Sequence, residues 1–177
     1  PTYSAVLRRD RLFARLDEAA TCPLTLVCAD AGYGKTTLVA TYLAERQHPA
    51  LWIRLDTLDR QLDVLFAHLC AGLADHFPAC QPRLAALATR LGQHHRAPAE
   101  LAADLVAAIE SSASERLEIV LNDFESVQES AEVVSAIHHL TLLLPETVRL
   151  LILSRVRPTG LSLTRLGLEG RLAVINR

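Results

Sequence analysis

Lysine is almost missing from this sequence, although basic residues as a class are not. Of 18 lysines and arginines, only Lys35 is a lysine. An excess of positive charge is also missing, because the formal net charge is -2 at pH 7. A domain that binds nucleic acid over its whole surface needs a strong basic excess. The composition therefore argues against that class, and any DNA contact would have to come from a local patch or from sequence outside this chain.

Long apolar runs are also absent. Apolar stretches such as residues 24–29, 142–144 and 150–153 are only a handful of residues long, whereas a helix that crosses a bilayer needs about 20 apolar residues. The start of the chain has no basic segment followed by an apolar one, as a secretory signal would. We therefore expect neither a membrane span nor a secretory signal, and we predict a cytoplasmic location.

The four cysteines form no Cys-x-x-Cys pair and no cysteine and histidine set at zinc-finger spacing. This spacing indicates neither a structural zinc site nor a disulfide framework. Methionine is absent as well, and the chain begins at Pro1. We expect a trimmed start or a piece of a longer protein. The length of 177 residues with 50% hydrophobic residues fits one domain, residues 1–177.

Strand and helix signals alternate along the chain. The pattern predicts strands at 24–28, 51–55, 117–121, 148–153 and 172–175. It predicts helices at 10–20, 35–45, 62–77, 84–91, 99–112 and 129–144, with 78–98 interpreted as a helical insertion with mobile edges. Such alternation is typical of an α/β fold with a parallel sheet of about five strands and helices on both faces.

The turn after the first strand carries the strongest motif. It matches the phosphate-loop pattern G-x-x-x-x-G-K-[ST], with alanine at the first position. Two glycines let backbone N–H groups point at phosphates, and the next helix adds its positive end. Since the motif lies between a predicted strand and helix, we favour a P-loop NTPase three-layer fold over a chance glycine-rich turn. The predicted nucleotide-binding residues are Ala31, Gly32, Tyr33, Gly34, Lys35, Thr36 and Thr37.

Each reactive group of this loop has a predicted partner. Lys35 would contact the β- and γ-phosphates, and the Thr36 hydroxyl would bind Mg²⁺. The strand at 117–121 ends in Asn122 and Asp123, which we expect at the tip of a neighbouring strand, holding magnesium and orienting water. An ordinary Asx turn is the alternative. Arg155 follows the next strand and could contact the γ-phosphate, or it could be a solvated arginine.

These residues resemble the nucleotide-binding domain of STAND-class signalling ATPases, in particular the large LuxR-type bacterial regulators typified by MalT. The resemblance extends from about residue 7 over nearly the whole chain. It implies an Mg²⁺-dependent ATP/ADP switch in a longer transcription regulator, with self-association when ATP is bound. Downstream winged-helix, sensor and helix-turn-helix effector domains would complete that protein. The matching segments are residues 24–27, 31–37, Trp52 with Asp56, 121–124 and 153–155.

Two residues depart from that family. Asn122 stands where the family usually has an acidic residue, so we expect weaker metal binding and slower turnover. Asp30 replaces a residue that is commonly proline. Unless its carboxylate points outward, it lies close to the phosphates and weakens nucleotide binding by like-charge repulsion.

The last 29 residues, 149–177, contain six arginines and one acid, Glu169. This excess could form a nucleic-acid patch. We favour instead a face that meets a downstream domain or the nucleotide, and we expect no specific DNA binding by this segment.

Three functions remain open. The first is an ATPase switch, a weak enzyme at most in isolation. The second is a nucleotide-binding regulatory module with little hydrolysis, which Asn122 supports; turnover measured beside affinity separates the two. The third is a P-loop small-molecule kinase. It ranks last because 78–98 supplies only Arg83, Arg90 and Arg96, with no obvious carboxylate base.

Overall fold

A computed structural model describes residues 10–93, 96–110 and 116–176. The first nine residues, where the resemblance begins, and Arg177 lie outside the described part. Five parallel strands form one sheet in the order β2-β3-β4-β1-β5. The strands are β1 (Leu24–Cys28), β2 (Ala50–Arg54), β3 (Leu117–Asn122), β4 (Val148–Ser154) and β5 (Leu172–Ile175). The predicted parallel sheet is confirmed.

The central strands are buried on both faces, as continuous apolar strands in a parallel sheet should be. All seven residues of β4 are buried, and so are the first five of β3. The strand order corrects one expectation. We expected the acidic tip of β3 beside the strand that leads into the glycine-rich loop, but β4 lies between β1 and β3.

Helices cover both faces of the sheet, as predicted. A smaller core packs against the first two helices, and a larger core packs against the other five. The helices are α1 (Asp10–Glu18), α2 (Lys35–Glu45), α3 (Leu62–His76), α4 (Gln81–Arg90), α5 (Pro98–Ile109), α6 (Ala131–Leu143) and α7 (Leu163–Leu168). Only α7 was not predicted; it has six residues, one of them a glycine, and such short segments carry little periodic signal.

The middle of the chain is part of the main helical layer. In α4, Leu84 and Leu87 are buried in the larger core together with α3 and α5. The helical character predicted for residues 78–98 is confirmed by α4, and this helix packs into the larger core. No helix among those residues combines the length and the apolar character that a membrane span requires.

Candidate functional site

The loop between β1 and α2 has the backbone conformation that its glycines predict. Gly32 and Gly34 have φ angles of +82° and +73°, a left-handed conformation that only glycine adopts without strain. A Cβ atom at Gly32 would contact nothing within 4 Å, so the backbone angle, rather than crowding, explains this glycine. Gly34 is the N-cap of α2 and has no side chain with which to cap the helix. The helix begins in the way that anion-binding helix termini do.

Lys35 lies across the loop that precedes it. Its Nζ atom donates to the backbone oxygen of Ala29 at 2.6 Å and to that of Asp30 at 3.2 Å. These contacts hold the ammonium group at the mouth of the loop, the position from which a point charge can reach phosphate oxygens. The Asp30 residue itself is exposed.

Thr36 and Asn122, the two predicted magnesium residues, are in contact. The Thr36 hydroxyl donates to the Asn122 Oδ1 atom at 3.2 Å. Adjacent oxygen ligands of an octahedral Mg²⁺ ion are about 3 Å apart, since its bonds are about 2.0–2.1 Å long. The spacing of these two oxygens therefore fits the ion. The part of the chain that the structure describes has no group of three or more Asp, Glu, His or Cys residues arranged to hold a metal, so most of the opposing charge would come from phosphates.

Asp123 pairs with the outer strand of the sheet. It has a left-handed backbone, with φ +61°. Its Oδ2 atom pairs with the Arg54 Nε atom at 3.1 Å, and Arg54 extends from the end of β2. The predicted catalytic carboxylate is thus held in an ion pair with Arg54.

Arg155 follows β4, the strand directly beside β1. The Ala29 N–H donates to the Ser154 oxygen at 3.3 Å, which places Arg155 next to the start of the glycine-rich loop. Its Nε atom pairs with Glu125 Oε1 at 2.9 Å, although the arginine side chain stays 56% exposed. Glu125 was not among the residues predicted from the sequence. The available signal was its place in the turn directly after Asn122 and Asp123.

Two depressions lie at this edge of the sheet. A polar cleft of about 420 Å³ lies between the strand tips; its lining includes Arg54, Asp123, Glu125 and Arg155. A small apolar cavity of about 40 Å³ lies beside the glycine-rich loop. Its lining includes Leu12, Cys28, Tyr33, Lys35 and Ile175. Burial raises the pKa of the Cys28 thiol, and the nearby Lys35 opposes that rise.

The arginine-rich end does not form one face. Arg149 is buried at the start of β4 and pairs with Glu118, at the edge of the sheet opposite the loop. Arg165 pairs with Glu169 on α7, whereas Arg155 lies at the loop edge. The expectation of a single basic surface is therefore wrong for the described residues, because these arginines lie at both edges of the sheet and several are already paired with acids.

Comparison with known families identifies one sequence profile that covers most of the chain. The profile of the family described as Nephrocystin 3, N-terminal matches residues 2–155. Among curated relatives, the HTH-type transcriptional regulator MalT of Yersinia pestis is 42% identical over 65 residues. MalT of Serratia proteamaculans is 46% identical over the same length. Each alignment covers 37% of this chain and 7% of the relative.

Solved structures share the fold at low sequence identity. A chain of Drosophila ORC bound to AT-rich DNA and Cdc6 superposes with a TM-score of 0.60 at 9% identity, covering 94% of this chain and 53% of that one. A Walker-type ATPase of Pyrococcus abyssi gives a TM-score of 0.58 at 13% identity, covering 97% and 54%. These likenesses confirm the P-loop NTPase fold.

Proposed function

Because the chain belongs to the Nephrocystin 3, N-terminal family, as a nucleotide-binding domain of the MalT-like STAND class, we propose that it is an ATP/ADP switch. The switch would act in a larger signal-transduction protein that regulates transcription through other domains. The observation that carries this proposal is the loop itself: two left-handed glycines, an uncapped helix start and one lysine, all at the carboxyl edge of a parallel sheet. That edge is where open α/β sheets bind ligands.

The loop and the apolar cavity beside it suggest the orientation of a bound nucleotide. The phosphates would occupy the loop, with Lys35 exchanging its contacts to the Ala29 and Asp30 oxygens for phosphate oxygens. The base and ribose would extend toward the apolar cavity beside Leu12, Tyr33 and Ile175. Tyr33 is 42% exposed, and its aromatic ring lines this cavity.

Magnesium would be held by Thr36 and Asn122 together with the phosphates. When bound, the ion neutralises the charge that develops on the phosphates during transfer. The protein itself contributes little negative charge to the binding of the ion, because Asn122 offers an oxygen without a charge. The Thr36 hydroxyl and the Asn122 amide already contact each other at 3.2 Å, so little rearrangement of these side chains is needed.

Slow hydrolysis is the favoured behaviour. Asp123 would orient the attacking water and Arg155 would contact the γ-phosphate, but both are in ion pairs, with Arg54 and Glu125. Each pair must loosen before its member can act on a nucleotide. These pairs and Asn122 also favour the second candidate function, a regulatory module that binds nucleotide with little or no turnover.

The proposal extends to partners. The matched MalT segment is a small part of a much longer protein, which supports downstream domains of the same polypeptide as the partners of this one. We place the protein in the cytoplasm and expect its self-association to follow ATP binding. Specific DNA binding would belong to another domain.

Two measurements on the purified chain test the proposal. The first is the identity of any nucleotide released on acid denaturation, and we expect ADP. The second is phosphate release from Mg²⁺-ATP, where we expect turnover well below the ~10 s⁻¹ typical of enzymes. Failure to bind either ADP or ATP in a direct titration would contradict the proposal. Turnover near ~10 s⁻¹ would instead indicate an efficient ATPase.

A further inference from the structure

Glu125 makes contacts that have no role in the nucleotide switch proposed above. Its carboxylate lies in the turn Phe124–Ser126 after β3 and reaches across to the tip of β4. Oε1 pairs with the Arg155 Nε atom at 2.9 Å. Oε2 accepts from the Arg155 backbone N–H at 3.2 Å and from the Ser154 hydroxyl at 3.3 Å. One carboxylate therefore holds both the arginine and the backbone that carries it.

We propose that Glu125 sets the preference of the site for a nucleoside diphosphate over a triphosphate, by competing with the γ-phosphate for Arg155. The inference rests on the proposed function, since it assumes that a nucleotide occupies the loop. It assigns a specificity role to a residue outside the predicted phosphate and metal contacts.

The placement of Arg155 supports this role. The β4 strand is paired with β1, with Ser154 opposite Cys28, so the arginine lies beside the start of the loop. Lys35 binds the Ala29 oxygen, and the Ala29 N–H binds the Ser154 oxygen. A γ-phosphate near Lys35 would thus have Arg155 as a neighbouring cation. The α- and β-phosphates, which are nearer the ribose, would not need Arg155.

The carboxylate is fixed independently of the guanidinium group. Because the Ser154 hydroxyl and a backbone N–H also bind Glu125, the carboxylate stays at the strand tip when the Arg155 side chain moves. The arginine side chain is 56% exposed, whereas that of Glu125 is 20% exposed, so the arginine is the partner that can leave. A triphosphate would therefore have to break this ion pair to bind the arginine, whereas a diphosphate would not.

The test compares Glu125→Gln with a control that changes the same charge in the same segment. Glu129→Gln is that control, because Glu129 pairs with Arg60 and is 73% exposed. The glutamine at 125 keeps an oxygen that can accept from Ser154 and the backbone. Dissociation constants are measured by fluorescence for labelled ADP and for a labelled non-hydrolysable ATP analogue, both with Mg²⁺.

We expect Glu125→Gln to tighten binding of the ATP analogue by about tenfold, within the range of ordinary coupling between groups. Its ADP affinity should stay within about twofold of the unchanged protein. The gain should vanish in an Arg155→Ala background. Glu129→Gln should change neither affinity.

An unchanged ratio of the two affinities in Glu125→Gln would overturn this inference while leaving nucleotide binding intact. A gain that persists without the Arg155 side chain would overturn it too, and so would an equal gain in Glu129→Gln. If the unchanged protein bound neither nucleotide, the proposed function would fail and this inference would fall with it.

Discussion

Asn122 shows how one side chain can keep a contact and lose a charge. Its Oδ1 atom accepts from the Thr36 hydroxyl, as a carboxylate oxygen could. Charged acceptors form hydrogen bonds about twice as strong as neutral ones, and Mg²⁺ sites in proteins use carboxylates more than amides. The residue thus preserves the geometry of a magnesium site and reduces its attraction for the ion.

Asn122→Asp is expected to tighten Mg²⁺-ATP binding by about fivefold or to raise hydrolysis, because the change restores one negative charge beside the ion. The measurement is a nucleotide titration with Mg²⁺ and again with a chelator. With the chelator the substitution should weaken binding, since only repulsion from the phosphates remains. If neither affinity nor turnover rises with Mg²⁺, then Asp123 already holds the ion or the acidic motif has been placed in the wrong register.

The sequence predicted the residues of the loop but not the partners of the strand-tip residues. Glycines, lysine and threonine follow one another within a few positions, so the motif can be recognised from the sequence alone. Glu125 and Arg155 are 30 positions apart and meet only because β3 lies beside β4. The strand order depends on packing of whole elements, which no short motif encodes.

At the scale of elements, β3 and β4 are joined at their amino ends by a buried ion pair. Arg149 donates through Nε to both carboxylate oxygens of Glu118 at 3.0 Å, and Nη1 donates to the Ala19 oxygen at 3.1 Å. Arg116 adds a contact to Glu118 at 3.1 Å. Burial, followed by the nearby Arg116, lowers the pKa of His48, which lies beside the same carboxylate. This network ties the sheet to the segment after α1.

Arg149→Met should reduce the free energy of unfolding by about 3–5 kcal/mol, because it leaves the Glu118 carboxylate buried with only Arg116 as a charged arginine partner. Chemical denaturation measures the loss. The paired change Glu118→Leu with Arg149→Met should recover most of it, since two apolar side chains need no partner. A double variant as unstable as the single one would show that the network does more than neutralise a buried charge.

Most element boundaries were predictable, and the exceptions have local causes. The β2 strand was predicted one residue late, because Ala50 carries a weak strand signal and begins the strand only through pairing with Glu118. The predicted end of the first helix is a short 3-10 turn, Ala19–Thr21. Helix α7 ends near Gly167, in a segment too short for its periodicity to be seen.

At the scale of the whole molecule, the charge is dispersed. The chain has a net charge of -2, and Arg149 and Arg165 of the arginine-rich end are already bound to acids. Mobility-shift assays with several duplexes should detect binding only at low salt and without sequence preference, because counterion release makes such binding fall steeply with salt. Sequence-selective binding at physiological salt would assign DNA recognition to this domain.

The most direct test of the account is a nucleotide titration of the unchanged chain and of Lys35→Ala. Lysine occurs once in the chain, and its Nζ atom already lies across the loop. We expect Lys35→Ala to weaken ADP and ATP binding by about 30-fold, the effect of losing a charged contact of about 2 kcal/mol. Its thermal unfolding without nucleotide should be unchanged. Equal affinities in the two proteins would contradict the assignment of the loop as a nucleotide-binding site.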